Sequence, residues 1–269
     1  MKTTLRTAIA VAAIVVGNTS SADTIRIGGT GVALGGISKL ASAFEGMHPG
    51  TQVTVLPSLG SSGGVKALLA GAIDLGVTSR ELKDSEHEAG ATARPYAITP
   101  LAVVTSLGTT ADGVTTQDLE AIYEGKLTHW PDGSVIRVVM RPASESDTQL
   151  LKGLSTAMAA AVDIALERPG LVSATNDQEN AETLEELPGS IGLVALGQIR
   201  AENRKLKILS LNGERPRLLQ NADLDASFAK SLYLVSKPDM TSEAQDFVQF
   251  IYSDAGRTIL SALDHAPVE

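Results

Sequence analysis

The apolar positions of this chain change their period several times, and each change marks an element. From residue 25 the short apolar runs IRIGG, QVTVLP and IDLGV alternate with the longer segments ISKLASAFEGM and VKALLAG. Short runs bounded by glycine or proline read as buried strands, and segments with apolar residues three and four apart read as helices with one covered face. In ISKLASAFEGM that face is Ile37, Leu40, Ala41 and Phe44, and His48-Pro49-Gly50 ends the helix. Strands and helices in alternation predict an α/β fold built on mostly parallel sheet. From about Ile98 the rhythm restarts with LAVVTS, the helical TTQDLEAIYEGKL and the strand VIRVVMRP. A long helical region from Leu150 to Leu166 follows, then SIGLVAL, KLKILSLNG, SLYLVSK and a C-terminal helix EAQDFVQFIYSDAGRTILSAL, with Thr241 or Ser242 as its N-cap. The restart predicts a second lobe. No linker or repeat separates the two, so strands crossing between them must join them.

The first 22 residues stand outside this pattern. Lys2 and Arg6 precede an apolar centre from Ala8 to Val16, and small residues lead up to Asp23. That centre is shorter than the ~20 residues of a membrane-crossing helix, so residues 1–22 read as a cleavable signal peptide and the protein as exported, to the periplasm. An exported chain of 269 residues without a single cysteine holds together by packing alone and has neither thiolate metal sites nor a cysteine nucleophile. The four histidines, His48, His87, His129 and His265, lack metal-ligand spacing. No metal or cofactor is expected. A formal charge of −9 argues against nucleic acid as a partner. It leaves room for a small anion, which local amides and one arginine can hold.

Such a place exists at LGSSGGVK, residues 59–66, where Gly60 to Gly64 stand between a strand and a helix. A helix start offers unpaired N–H groups and a partly positive dipole end. With the helix beginning at VKALLAG, Ser61, Ser62, Gly63 and Gly64 form its entrance. A nucleotide P-loop does not fit, because Val65 separates Gly64 from Lys66 and Ala67 follows. Gly60, Ser62 and Gly64 do satisfy the nucleophile elbow G-x-S-x-G, with Asp254 and His265 downstream in hydrolase order, so a serine hydrolase with Ser62 as nucleophile is the alternative. A second hydroxyl cluster, MRPASESDT, follows the strand that ends at Arg141, whose planar fork can grip an oxyanion. Together with GGTGVALGG, three strand-to-helix junctions from two lobes converge in principle on one cleft.

These segments resemble the periplasmic phosphate-binding proteins that feed bacterial ABC phosphate importers. LGSSGGVKALLAGAIDLGVTSREL is similar to that family's first-lobe signature, IYEGKLTHWPDG to its "I-x-x-G-x-I-x-x-W" segment, RPASESDT to its arginine followed by Ser-Gly-Thr, and PGSIGLVAL to its "PGSIGY" strand. LYLVSKPDMTSEAQDFVQFIYSDAGRTIL resembles its C-terminal region, so the likeness spans the chain beyond residue 22. The resemblance implies a two-lobed periplasmic-binding fold of type II, with lobe 1 at residues 23–97 and 228–269, lobe 2 at 98–227, and the ligand cleft between them. It implies donors to a dehydrated oxyanion at Thr30, Gly31, Ser61, Ser62 and Gly63 from lobe 1 and at Arg141, Ser146 and Thr148 from lobe 2. An ABC permease is the implied partner, and closure between two lobes requires only a monomer.

The departures from the family concern the ligand. Ser79, followed by Arg80, stands where the best-known members place an aspartate that accepts the proton of hydrogen phosphate. Ala143 stands where they have an acidic partner for the arginine, and Asp147 replaces the glycine of Ser-Gly-Thr. Asp147 or Glu145 is therefore a candidate for the acceptor role; the alternative is that both are solvated or pair with Arg141 or Arg80. A sensing or binding protein outside transport would carry the same cleft. Trp130, Tyr123 and Phe250 read as packing residues, Glu179, Glu182, Glu185 and Glu186 as a solvated helix face, and Asn176, Asp177 and Asn180 lie where the family's second-lobe loop approaches the cleft.

Overall fold

A computed structural model describes residues 23–216 and 228–268; the expected signal peptide lies outside them. The chain runs β1 (Asp23–Gly29), α1 (Gly31–Met47), β2 (Thr51–Val55), α2 (Gly60–Leu69), β3 (Leu75–Thr78), α3 (Asp84–Glu88) and β4 (Thr92–Ser106). It continues through β5 (Gly113–Val114), α4 (Thr116–Glu124), β6 (Arg137–Met140), α5 (Ser146–Lys152), α6 (Thr156–Leu166), β7 (Val172–Ser173), α7 (Asp177–Glu186), β8 (Ser190–Ala195), α8 (Leu196–Glu202), β9 (Leu206–Ile208) and β10 (Ser210–Leu211). It returns as β11 (Ala229–Ser236), α9 (Ser242–Tyr252), α10 (Asp254–Ala262) and β12 (Ala266–Pro267).

Strand order is β2-β1-β3-β11-β4-β8-β6-β7, with β9 and β12 also on β4 and a separate β5-β10 pair. Two parallel groups flank an antiparallel centre: β1 is parallel to β2 and β3, and β6 is parallel to β7 and β8. β4 joins them by changing partner along its length. It pairs with β11 over residues 92–100 and with β8 over 101–104. The protein is thus an α/β molecule of two lobes, and its crossing strand is buried almost without break from Tyr96 to Ser106. The β1–β3 group with α1 and α2 is called the first lobe below, the β6–β8 group with α5 and α7 the second.

Helix α1 covers the first lobe with the face its spacing predicts: Ile37, Leu40, Ala41 and Phe44 are all buried. Phe44 meets Phe247 and Phe250 of α9 at centroid separations of 5.1 and 5.7 Å, offset as aromatic quadrupoles favour. Two expected long helices are each divided in two. The region from Leu150 to Leu166 breaks at Gly153–Ser155, where the Ser155 hydroxyl caps α6 by accepting from Met158 N–H at 2.9 Å. The C-terminal segment starts at the expected cap, Thr241, but breaks at Ser253, whose backbone is extended and whose hydroxyl accepts from Gly256 N–H at 3.2 Å. Ser253 both ends α9 and starts α10, whereas α5 ends at Gly153 and Ser155 only starts α6. Trp130 is buried as expected and donates from Nε1 to Gly189 O at 3.1 Å.

His265 sits where α1 and α8 meet. A methyl group on Gly197 would come within 2.2 Å of its Cε1, so only glycine lets α8 lie against the ring. Burial pushes its pKa down from the ordinary 6.5 to about 4. Between those values the unfolded chain binds the proton and the native ring does not. Its contribution to stability is therefore complete above pH 6.5 and is lost as pH falls towards 4. His265→Gln is expected to flatten the fall in melting temperature between pH 7 and pH 5; equal slopes for variant and wild type would contradict the assignment.

Candidate functional site

The three junctions of the first lobe meet through hydroxyl groups. Thr30 follows β1, Ser61 lies in the first turn of α2, and Ser79 follows β3. Ser79 Oγ is 3.3 Å from Thr30 Oγ1 and 3.4 Å from Ser61 Oγ, while Ser79 N–H donates to Ser61 Oγ at 3.1 Å. Hydroxyl pairs normally close to about 2.7–2.8 Å, so these are loosely engaged and can turn towards a better acceptor.

Helix α2 begins one turn earlier than its apolar residues suggest. It starts at Gly60, so Ser61, Ser62, Gly63 and Gly64 form its first turn instead of preceding it, and no side chain caps that end. Glycine is required here for contact. A methyl group on Gly64 would lie 2.6 Å from Gly29 Cα, which means that α2 rests directly on β1. Gly29 itself has φ +147°, and any side chain there would strike Val77 O.

From the second lobe comes Arg141, the residue after β6, only 5% exposed. Its Nη2 donates to Glu145 at 2.8 Å and Nη1 lies 3.6 Å from Asp177 Oδ1, while Nε and Nη1 have no hydrogen-bond partner. Thr148 holds the arginine's backbone, donating from Oγ1 to Arg141 O at 2.9 Å.

Ser61, Ser62, Gly63 and Ser79 of the first lobe and Arg141 and Ser146 of the second line a single cleft of about 620 Å³. Arg80 lines it too. Its guanidinium is fixed by Glu86 at 2.8 Å and donates to Ser62 Oγ at 3.1 Å, and it holds the Glu86 carboxyl down at about 2. The Ser62 hydroxyl thus accepts an arginine N–H. The His265 ring, which the hydrolase alternative needs as base, is engaged with Leu263 O at 3.0 Å and packs on Gly197.

Four of the expected site residues lie behind the cleft wall. Thr30 and Thr148 are buried in the hydrogen bonds above, and Gly31 and Asp147 face a charged cluster. Asp147 pairs with Lys230 of β11, and Glu145 pairs with Arg141. Pairing with Arg141 was weighed from sequence; Lys230 was not. Lys230 Nζ is also 3.5 Å from Asp177 Oδ1. Burial works against charge on all three. Asp177, served by both Lys230 and Arg141, still has its pKa held below the ordinary carboxylate value, and the two carboxylates hold that of Lys230 up. For Asp147 burial prevails, with Asp177 adding to it, and its pKa is raised. Lys230 is the residue sequence reading missed, because its partners lie 53 and more positions away.

Of the other second-lobe candidates, Asn176 lines the cleft and caps α7 through Glu179 N–H at 2.9 Å, whereas Asn180 turns inward to Leu193 O at 2.8 Å. The acidic face of α7 is only partly solvated. Glu182 and Glu186 are exposed, but Glu182 reaches Arg204 at 3.6 Å, Glu185 pairs with the same arginine at 3.4 Å and Glu179 accepts from Thr175 at 2.6 Å. Among the described residues no cluster of acidic, histidine or cysteine side chains could hold a metal, and no helix is long and apolar enough to cross a membrane.

A profile described as the PBP superfamily domain matches residues 15–255. The chain belongs to the PBP superfamily. Among its relatives in that superfamily is the phosphate-binding protein PstS of Borreliella burgdorferi, 24% identical over 245 residues that cover 88% of this chain and 87% of the relative. Phosphate-binding protein PstS 2 of Streptococcus pneumoniae is 35% identical over 95 residues, 35% of this chain and 32% of that one. In architecture the chain is similar to a Clostridium perfringens protein solved with bound phosphate, with TM-score 0.75 and 19% identity over 92% of this chain and all of that one.

Proposed function

We propose that this protein captures phosphate, or another tetrahedral oxyanion of that size, between its two lobes and presents it to an ABC permease without breaking a bond. One observation carries the reading: the first turn of α2 and the half-used guanidinium of Arg141 come from different lobes and border the same cleft. An anion entering there gains α2 amides and serine hydroxyls on one side and a charge-assisted fork on the other. Neither half suffices, since a desolvated anion needs many donors at once. Shutting the lobes is then favoured only when the anion is present to bridge them.

The site comprises Thr30, Gly31, Ser61, Ser62, Gly63, Ser79, Arg141, Ser146, Asp147 and Thr148. Those at the cleft wall make contact and those behind it hold the wall. Lobe 1 is taken as residues 23–97 and 228–269 and lobe 2 as 98–227, a division consistent with the partner change of β4 near residue 100. The molecule works as a monomer, exported after removal of residues 1–22. A relative named for phosphate binding and matched along 88% of this chain supports the choice of ligand.

A thermal-shift panel of phosphate, sulfate, molybdate, tungstate and simple phosphonates tests the reading. Phosphate at a hundred times its Kd is expected to raise the melting temperature by roughly 5–10 °C. A panel in which no oxyanion moves the transition, or labelling of Ser62 by a fluorophosphonate, would overturn it.

A further inference from the structure

Arg141, Asp147, Asp177 and Lys230 are each at most 6% exposed and form one cluster, yet they do not belong to one lobe. Arg141, Asp147 and Asp177 come from the second lobe, while Lys230 stands on β11 beside the crossing strand. The cluster also reaches α1 of the first lobe, through Asp177. Its carboxylate lies against the first residue of α1, Gly31, where the helix dipole favours a negative group. The next residue adds a second tie, Gln178 Nε2 donating to Gly31 O at 2.9 Å. So close an approach is open only to glycine: a methyl group on Gly31 would stand 2.4 Å from Gln178 Oε1 and 2.7 Å from Asp177 Oδ2.

One carboxylate thus touches the Arg141 guanidinium of its own lobe at 3.6 Å and two groups from outside that lobe, the N-terminus of α1 and the Lys230 ammonium at 3.5 Å. Lys230 also carries Asp147, so two cations and two carboxylates balance within the cluster. Arg141 borders the cleft, and in this arrangement its Nε and Nη1 have no hydrogen-bond partner.

We propose that Asp177 is a positioning residue for anion capture: it bolts α1 of the first lobe to the second lobe and, by the same carboxylate, sets Arg141 in its anion-receiving orientation. This rests on the proposed oxyanion function. Asp177 itself does not touch the anion; it makes lobe closure and the readiness of Arg141 one event. Losing it lets the lobes part and the guanidinium turn, which shows in release of the ligand more than in its arrival.

The test uses the full protein and inorganic phosphate. Asp177→Asn removes the charge and keeps the shape. Gly31→Ala keeps every charge and removes the clearance. Glu186→Gln, exposed at the end of α7, is the control. Both test variants are expected to weaken phosphate binding by at least about tenfold in titration calorimetry and to increase the radius of gyration of the ligand-free protein in small-angle scattering, with a cooperative melting transition retained; the control changes neither. Asp177→Asn that binds phosphate as tightly as wild type or more tightly, at an unchanged radius, overturns the proposal, the tighter case meaning that the carboxylate competes with the anion. A wild type that takes up no phosphate while both variants still expand would remove the ligand assignment and leave the bolt standing; no uptake and no expansion would remove both.

Discussion

Arg141→Gln is expected to weaken oxyanion binding by about a hundredfold or more, because truncating one member of a buried, hydrogen-bonded charge pair costs several kcal/mol. The side chain is almost wholly enclosed, borders the cleft, is held at one nitrogen by Glu145, and has no hydrogen-bond partner at Nε or Nη1. Water cannot replace those donors in a shut cleft. Arg141→Lys is expected to recover only part of the loss, since an ammonium does not reproduce the planar fork. Titration calorimetry with phosphate on wild type and both variants reads the effect directly. An Arg141→Gln protein with wild-type affinity would show that the guanidinium is structural and that the anion, if any, is held elsewhere.

Lys230→Met carries the largest expected effect on stability. Two buried carboxylates, Asp147 and Asp177, converge on this one ammonium. Removing a single partner from a buried ionic cluster costs about 3–5 kcal/mol, because the charge left behind has neither water nor a counter-ion. At about 2–4 °C per kcal/mol for a chain of this size, the melting temperature should fall by roughly 10 °C. The cost is expected to be largely recovered when Asp147→Asn is added, because Asp147 is the carboxylate whose pKa is raised by burial, whereas that of Asp177 stays lowered. Denaturant unfolding of the two single variants and the double variant closes the cycle. If the single and double variants are equally unstable, Asp147 and Lys230 do not act as a pair.

Elements whose cause is local were legible in the sequence, and arrangements made by distant partners were not. The covered face of α1 follows from the spacing of Ile37, Leu40, Ala41 and Phe44 and needs no knowledge of what it packs against. The Thr241 cap was equally local. Ser155 and Ser253 were harder. Each sits inside an apolar periodicity that continues past it, and only the backbone shows that a new helix starts at the serine. The start of α2 was misplaced because glycines carry no periodicity of their own, so the first turn looked like a loop.

The site divides along the same line. Ser61, Ser62, Gly63 and Arg141 were readable from hydroxyl and glycine runs between strands and helices, each a feature of one junction. The Lys230 network was hidden, because its members come from β11, α5 and α7 and meet only through the order in which strands cross the sheet. From sequence Asp147 was a candidate acceptor, or else solvated or paired with an arginine. The fold makes it half of an internal ion pair with Lys230. The same network explains why Gly31 lies behind the cleft wall: Asp177 and Gln178 of α7 are pressed against the start of α1 and cover it.

A crystal structure grown with phosphate is the most direct test of the claim that the two lobes share one anion. The account requires phosphate between α2 and Arg141, within hydrogen-bond distance of first-turn α2 donors and of the guanidinium nitrogens that are now unpaired. Phosphate seated against one lobe alone, with Arg141 still turned to Glu145 and Asp177 and contributing nothing to it, would contradict the account at its centre.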